Sequence, residues 1–158
     1  MSGMPQMNRG GKFIFGKSTV HADGTVPLPP QAVTAYHIAA EGRVYLWNGS
    51  RTTGGFCVTR KGLFYPSALG HILDELAPLR DYTAEPGAFI PYKGRAYCWT
   101  AISATGQVTL TKEMMAFLEI TYGTPLLSIR SSDMAFTMGA KGPLLEKAEN
   151  FKGETPAF

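Results

Sequence analysis

The sequence lacks any hydrophobic run long enough to cross a membrane. A spanning helix needs about 20 consecutive, mostly apolar residues, and no stretch of the 158 residues comes close to that length. The first segment, Met1 to Gly11, contains three glycines and no apolar stretch like that of a secretory signal. We therefore expect a soluble, cytoplasmic protein that does not contact a membrane.

Cysteine and histidine are also scarce, and they lack the spacings that metal binding or catalysis requires. The two cysteines, Cys57 and Cys98, lie in separate apolar, strand-like segments, where free cysteine usually behaves as a small buried hydrophobic residue. The three histidines are scattered, and no two have the spacing of metal ligands on one helix. We predict that the protein is not an enzyme and holds neither a metal nor a cofactor.

The net charge of +3 is small, but the charge is unevenly distributed along the chain. Basic residues outnumber acidic ones in residues 13–62 and 95–142, whereas residues 63–94 are net acidic. A concentration of positive charge in particular segments suits a polyanionic partner. Nucleic-acid binding is therefore a hypothesis that depends on where the basic side chains lie.

Two regions of the chain resemble each other. Gly24-Thr-Val-Pro-Leu28 aligns with Gly106-Gln-Val-Thr-Leu110, and Lys61-Gly62 aligns with Lys141-Gly142. Both regions have the pattern of a strand, a glycine turn, a second strand, a short helix and a hairpin, in that order. We interpret this recurring order as a tandem duplication of one unit.

The pattern predicts four strands and one short helix in each unit. The strands are expected at Lys12–His21, Thr25–Leu28, Val44–Trp47 and Phe56–Thr59 and, in the second unit, at Tyr97–Ser103, Gln107–Leu110, Leu126–Ile129 and Met134–Thr137. Pro29 and Pro30 open the first helix, where their missing amide hydrogens do little harm. Thr111 caps the second helix, in which Met114, Phe117 and Leu118 recur at helical spacing.

The two units are expected to form one domain. A unit of about 40 residues has too little core and too many open strand edges to stand alone, and pairing with its copy removes both problems. The domain spans residues 12–145. The expected divisions are a flexible arm at 1–11, unit one at 12–62, a connecting helix and loop at 63–94, unit two at 95–142 and a tail at 146–158.

The connecting segment has a clear helical pattern. Ser67 is suited to the N-cap position, and Asp74 and Glu75 lie on the polar face. The apolar positions recur at helical spacing: Leu69, Ile72, Leu73 and Leu76. Because Pro78 cannot continue a helix, we predict one amphipathic helix that ends there and packs its leucine face on the barrel that the two units form.

The order of these elements resembles the SpoVT/AbrB swapped-hairpin domain. The first copy has a strand, a glycine turn, Val26-Pro-Leu-Pro29, a short helix ending at Ile38 and then a hairpin, and the second copy is similar from Gly106 to Ile120. In that family two units exchange hairpins to complete one barrel. The resemblance therefore implies a mainly β protein with short helices, in which two pseudo-symmetric repeats form a swapped-hairpin (AbrB-like) β-barrel within one chain, as in MraZ-like proteins.

The resemblance also implies function: a DNA-binding transcriptional regulator that binds double-stranded DNA without a cofactor. The positions at which the family carries DNA-contacting arginines fall here on uncharged residues, namely Thr25, Gln107, Val33 and Met115. The aspartate-to-arginine signature of MraZ-like proteins is absent from both units. A basic surface elsewhere is therefore needed for DNA binding.

Basic residues precede the first strand of each unit and supply the candidate DNA contacts. Pseudo-symmetry is expected to present the two groups together, with further cations extending the patch. The candidates are Arg9, Lys12, Lys17, Arg51, Lys93, Arg95 and Lys112.

The alternative is a non-catalytic protein-interaction or ligand-sensing barrel that has lost the DNA-contacting arginines. Strand aromatics could line a groove in such a protein, although aromatics on strands usually belong to the core. They are Phe13, Phe15, Tyr45, Trp47, Tyr92, Tyr97 and Trp99. The sequence leaves open the DNA sequence bound, any small-molecule ligand and whether the protein forms a homo-oligomer.

Overall fold

The computed structural model describes residues 6–7, 13–143, 145–146 and 157–158, which form a mainly β protein with short helices. The strands are β1 Gln6–Met7, β2 Phe13–Thr19, β3 Thr25–Pro27, β4 Arg43–Asn48, β5 Phe56–Thr59, β6 Ile90–Tyr92, β7 Arg95–Ala101, β8 Gln107–Thr109, β9 Pro125–Arg130 and β10 Phe136–Gly139. The helices are α1 Pro30–Tyr36, α2 Lys61–Phe64, α3 His71–Glu75, α4 Ala77–Arg80 and α5 Lys112–Leu118. No described helix has the length and apolar character needed to cross a membrane.

All strand pairs are antiparallel, and eight strands form one sheet in the order β1-β2-β9-β10-β5-β4-β7-β6. β3 and β8 form a separate two-stranded ribbon. Within the described residues, the end strands β1 and β6 do not pair with each other, so the sheet is open and the expected closed barrel is not found. These strands have only two and three residues, which leaves few backbone groups with which to close the sheet.

Strands from the beginning and the end of the chain are interleaved. We call β2–β5 with α1 the first half and β7–β10 with α5 the second half. The β9–β10 hairpin lies between β2 and β5, and the β4–β5 hairpin lies between β10 and β7. Consequently, the long first strand of each half pairs with the hairpin of the other half.

The main core lies between the sheet, the β3–β8 ribbon, α1 and α5, and it contains residues from both halves. Phe15, Tyr36 and Phe136 form its aromatic centre, with ring centroids 5.0 to 6.3 Å apart. Each is almost fully buried. Burying a large side chain in this way stabilises a fold by about 1.5 to 3 kcal/mol, so the two halves depend on a shared core.

A second hydrophobic cluster lies on the opposite face of the sheet. Val44 and Leu46 of β4 belong to the main core, whereas Tyr45 and Trp47 belong to this second cluster, because successive side chains of a strand point to opposite faces. Residues of α2, α3 and α4 cover it, and the Tyr45 hydroxyl donates to the Leu79 carbonyl at 3.1 Å. The connecting segment therefore packs on the sheet, as its apolar positions predict.

The prediction of a single amphipathic helix in that segment is wrong, because the segment forms three short helices, α2, α3 and α4. Ser67 is not the N-cap of a helix, because α3 begins at His71 with Gly70 at its N-cap. Ser67 lies instead in a turn, where its hydroxyl donates to the Phe64 carbonyl and accepts the Leu69 amide, and its own carbonyl accepts the Gly70 amide. This turn brings Gly70 so close to the Tyr65 carbonyl that a Cβ there would collide with it. Pro78 does not end a helix but lies in the first turn of α4, where a proline is tolerated.

Elsewhere the eight strands expected in the two units are present, with ends within two residues of the predicted ones. The cap at Thr111 is also confirmed, since its hydroxyl accepts the Met114 amide at 3.1 Å. Gln6 and Met7, within the expected flexible arm, instead pair with β2. The rest of the arm and most of the expected tail lie outside the described residues.

The glycine turns of the two halves contact the opposite half directly. The Leu28 amide donates to the Gly106 carbonyl at 2.9 Å, and the Leu110 amide donates to the Gly24 carbonyl at 2.8 Å. Gly24 has a φ of +87°, and a Cβ at this position would collide with the Leu110 carbonyl oxygen. Only glycine therefore fits both the backbone conformation and the close approach.

We expect Gly24→Ala to destabilise the protein more than Gly123→Ala does. Gly123 has a similar φ of +83° but has nothing within 4 Å of its Cβ position, so its substitution adds only left-handed backbone strain, about 1 to 2 kcal/mol. The collision at Gly24 should add about 1 to 3 kcal/mol. Urea denaturation measures both changes, and equal losses of stability would contradict the close contact between the halves.

Candidate functional site

Asn48, the last residue of β4, accepts two hydrogen bonds from β7 at one end of the sheet. Its side-chain Oδ1 accepts the Ala96 amide at 2.9 Å, and its carbonyl accepts the Arg95 guanidinium at 2.8 Å. No carboxylate pairs with Arg95 among the described residues. Because a guanidinium has five N–H groups, this bond orients Arg95 and leaves further donors for a ligand.

The tight turn between β6 and β7 carries a second cation. Lys93 and Gly94 both have left-handed backbone conformations, with φ of +45° and +85°. The Lys93 ammonium lies 5.4 Å from the centre of the Tyr92 ring, and the Tyr92 hydroxyl donates to the Glu75 carboxylate. The turn therefore holds Lys93 next to Arg95 and over an aromatic surface.

These residues line an open groove of about 390 Å³, which we call the basic groove. Its lining residues are Asn48, Pro91, Tyr92, Lys93, Gly94, Arg95, Ala96 and Phe117. Of these described residues, two are cationic and none is acidic. The groove is therefore suited to an anionic ligand.

Phe117 is the unexpected member of the basic groove. Its helical spacing predicts a core residue, but the buried residues of α5 are Met114, Met115 and Leu118, and Phe117 is 46% exposed. Its ring stacks on Phe89, with the ring centroids 4.4 Å apart. Spacing alone could not identify this residue as a surface group, because that depends on which elements cover the helix.

The loop between β4 and β5 adds positive charge at the same end of the sheet. Arg51 is exposed in this loop, and the Lys141 side chain passes 3.4 Å from the Cβ position of Gly54. The backbone amide of Lys141 also donates to the Thr53 carbonyl at 2.9 Å. Lys141 was missed as a candidate contact, although Lys141-Gly142 is one of the repeated pairs that reveal the sequence similarity.

The other predicted contacts are dispersed. Lys112 is exposed at the first residue of α5, at the other end of that helix from Phe117. Lys17 lies half-buried on β2, where its carbonyl accepts the Phe158 amide. Arg9 and Lys12 lie outside the described residues.

The starts of β2 and β7 lie far apart in the sheet, whereas Arg9 and Lys12, which the common patch needs, lie outside the described residues. Four strands separate β2 from β7 in the sheet, which corresponds to about 24 Å along it. Five successive antiparallel pairings also make the two strands run in opposite directions. Of the basic candidates, the structure brings Lys93 and Arg95 into one groove, with Arg51 in the neighbouring loop.

Two of the family's arginine positions, Val33 and Met115, are unsuited to charged contacts here. Met115 is only 5% exposed, and Val33 lies 2.6 Å from the Cβ position of Gly106, so both pack between the halves. The Thr25 hydroxyl and amide donate to Asp23 at 2.7 and 3.0 Å, which lowers the pKa of that carboxyl. This turn therefore presents a negative charge.

Most of the strand aromatics belong to the hydrophobic clusters. Phe15, Tyr45, Trp47 and Tyr97 are buried, and Tyr92 and Trp99 are partly buried beside them. Phe13 is 36% exposed. The prediction that strand aromatics are mainly core residues is therefore confirmed for most of the set.

The two cysteines are free and poorly suited to nucleophilic chemistry. Burial raises the pKa of the Cys98 thiol to about 12 and also raises the pKa of the half-buried Cys57 thiol. Both thiols are therefore neutral near pH 7, and the thiolate is the reactive form. Within the part of the chain that the structure describes, no group of three or more His, Cys, Asp or Glu side chains could hold a metal ion.

We expect the folded protein to react very slowly with a thiol reagent such as dithionitrobenzoate at pH 8. In urea both cysteines should react rapidly, because unfolding restores the ordinary pKa and the access of the reagent. The absorbance of the released thionitrobenzoate measures the reaction. Rapid modification of Cys98 under native conditions would contradict its burial in β7.

Comparison with known proteins adds no relative: no protein-family model matches the chain, and no curated protein is significantly similar to it in sequence.

Proposed function

We propose that the protein is a DNA-binding transcriptional regulator of the SpoVT/AbrB type, built from two diverged copies of a swapped-hairpin unit in one chain. Its DNA contacts come from the basic groove and from Arg51 and Lys141 at the same end of the sheet, instead of from the family's arginine positions. The observation that carries the proposal is the order of the strands in the sheet. If each strand is exchanged with its equivalent, the order becomes its own reverse.

The strand pairs support the duplication. Exchanging β1 with β6, β2 with β7, β4 with β9 and β5 with β10 converts the sheet order into its own reverse. The burial patterns of β2 and β7 are identical, and so are those of β5 and β10. Two copies related by a local twofold axis between β5 and β10 account for both regularities.

The connections support the swapped hairpin. In each half, the hairpin leaves its own first strand and pairs with the first strand of the other half. The bond from Leu28 to Gly106 has its counterpart in the bond from Leu110 to Gly24, with nearly equal lengths. Such an exchange is the defining feature of the family that the sequence resembles.

The charges support a nucleic-acid ligand. Lysine and arginine that neutralise phosphates supply most of the nonspecific affinity for DNA, and Lys93 and Arg95 share a groove whose described lining residues include no acid. The hydrogen bond that Arg95 donates to the Asn48 carbonyl orients Arg95 before a ligand arrives, which lowers the entropic cost of binding.

The alternative, a non-catalytic interaction or ligand-sensing barrel, is favoured by one observation. The family's DNA-contacting positions are uncharged here, and Val33 and Met115 pack between the halves. In that case the fold serves as a scaffold for another partner. Binding to DNA distinguishes the two functions.

We expect the protein to bind random-sequence duplex DNA at low salt with micromolar affinity. Lys93→Gln combined with Arg95→Gln should weaken binding about tenfold or more at 50 mM salt. It should also reduce the slope of log K against log salt by about 1 to 2, because up to two phosphate contacts are lost. Fluorescence anisotropy with a labelled duplex over a salt series measures both quantities.

The matched control is a double variant with the same loss of charge, Lys61→Gln combined with Arg80→Gln. Arg80 lies on α4, where it pairs with Asp81 at 2.9 Å, and Lys61 lies over the Tyr82 ring, so neither lines the basic groove. If both double variants change the slope equally, only net charge matters and the groove is not the contact surface. No binding by the folded wild type at low salt would favour the interaction barrel.

A further inference from the structure

We propose that the basic groove binds an unpaired nucleotide, with the base stacked on Phe117 and the phosphate held by Lys93 and Arg95. This inference rests on the proposed function, because the ligand is again a nucleic acid. It goes further by specifying that the groove binds the nucleic acid in unpaired form. The two sources of this chemistry are a single strand and a free mononucleotide.

Phe117 supplies a platform for a planar group. It is a large apolar side chain on the open side of α5, and it is 46% exposed although its neighbours Met114, Met115 and Leu118 are buried. Phe89 stacks on it with 26° between the ring planes. Because a ring has two faces, stacking on Phe89 leaves the other face of Phe117 for a second ring.

The two cations lie in the same groove as this ring. Arg95 is oriented by its bond to the Asn48 carbonyl, and Lys93 is carried by the tight turn at Gly94. The groove is open to solvent, and its volume is about 390 Å³. A ligand that combines an aromatic plane with a phosphate satisfies both kinds of residue at once.

Duplex DNA offers only part of this match. Its phosphates can reach Lys93 and Arg95, but its bases are stacked inside the helix and do not expose a face to Phe117. Unpaired bases do expose a face, and proteins that bind single strands combine aromatic platforms with a cationic groove. The arrangement therefore favours an unpaired nucleotide over a base-paired one.

The test compares labelled oligo(dT) of ten nucleotides, a labelled duplex and thymidine monophosphate as a competitor of the oligonucleotide. We expect Phe117→Ala to weaken oligo(dT) binding about tenfold, because the variant loses the stacking of one base on the ring. Phe117→Trp should preserve or increase the affinity. The duplex affinity should change less than about twofold.

Tyr122→Ala is the matched control, because Tyr122 is 48% exposed and does not line the basic groove. It should leave oligo(dT) binding unchanged. Thermal unfolding of each variant checks that the fold is intact, which the exposure of both side chains favours. The relative affinities of oligo(dT) and the mononucleotide identify the natural source.

The outcomes separate this inference from the proposed function. If Phe117→Ala binds oligo(dT) like the wild type while Lys93→Gln with Arg95→Gln weakens duplex binding, the stacking site is overturned and the DNA-binding function stands. If oligo(dT) binding depends on Phe117 and no duplex binds, the inference stands and the duplex regulator fails. If a peptide rich in Asp and Phe binds through Phe117 and oligo(dT) does not bind, the inference that the ligand is a nucleotide is overturned.

Discussion

The antiparallel pairing of β5 with β10 is the contact on which the rest of the structure depends. These strands belong to different halves and occupy the middle of the sheet. On either side of them, β2 pairs with β9 and β4 pairs with β7, so a half removed from its partner would keep only its own hairpin and expose new strand edges. The shared aromatic centre of Phe15, Tyr36 and Phe136 depends on the same interleaving.

The basic groove is a consequence of this exchange. Asn48 ends a strand of the first half, whereas Arg95 begins a strand of the second half, and the pairing of β4 with β7 brings them into hydrogen-bonding contact. Phe117 reaches the same place from α5. Because three separate segments supply the groove, its chemistry depends on the assembled fold and not on a contiguous motif.

Local patterns predicted the local structure well. The strand at Phe56–Thr59 and the cap at Thr111 both follow from residues close together in sequence. The helix predicted from Ser67 failed because its apolar spacing is compatible with several short helices, and the turn that ends at Gly70 depends on backbone contacts. Phe117 is exposed although it shares the helical spacing of Met114 and Leu118, because periodicity identifies a helix but not which of its apolar residues are covered.

The sequence by itself determined the order of elements, the glycine turns and the mainly β character, since these follow from short-range sterics and from alternating burial. Tertiary structure decided that the sheet stays open, that the starts of β2 and β7 lie apart, and that Lys93, Arg95 and Phe117 share one groove. The physical reason is that strand pairing joins residues far apart in the chain, and each pairing reverses the strand direction. Which charges become neighbours is therefore set by the sheet order, which no local pattern encodes.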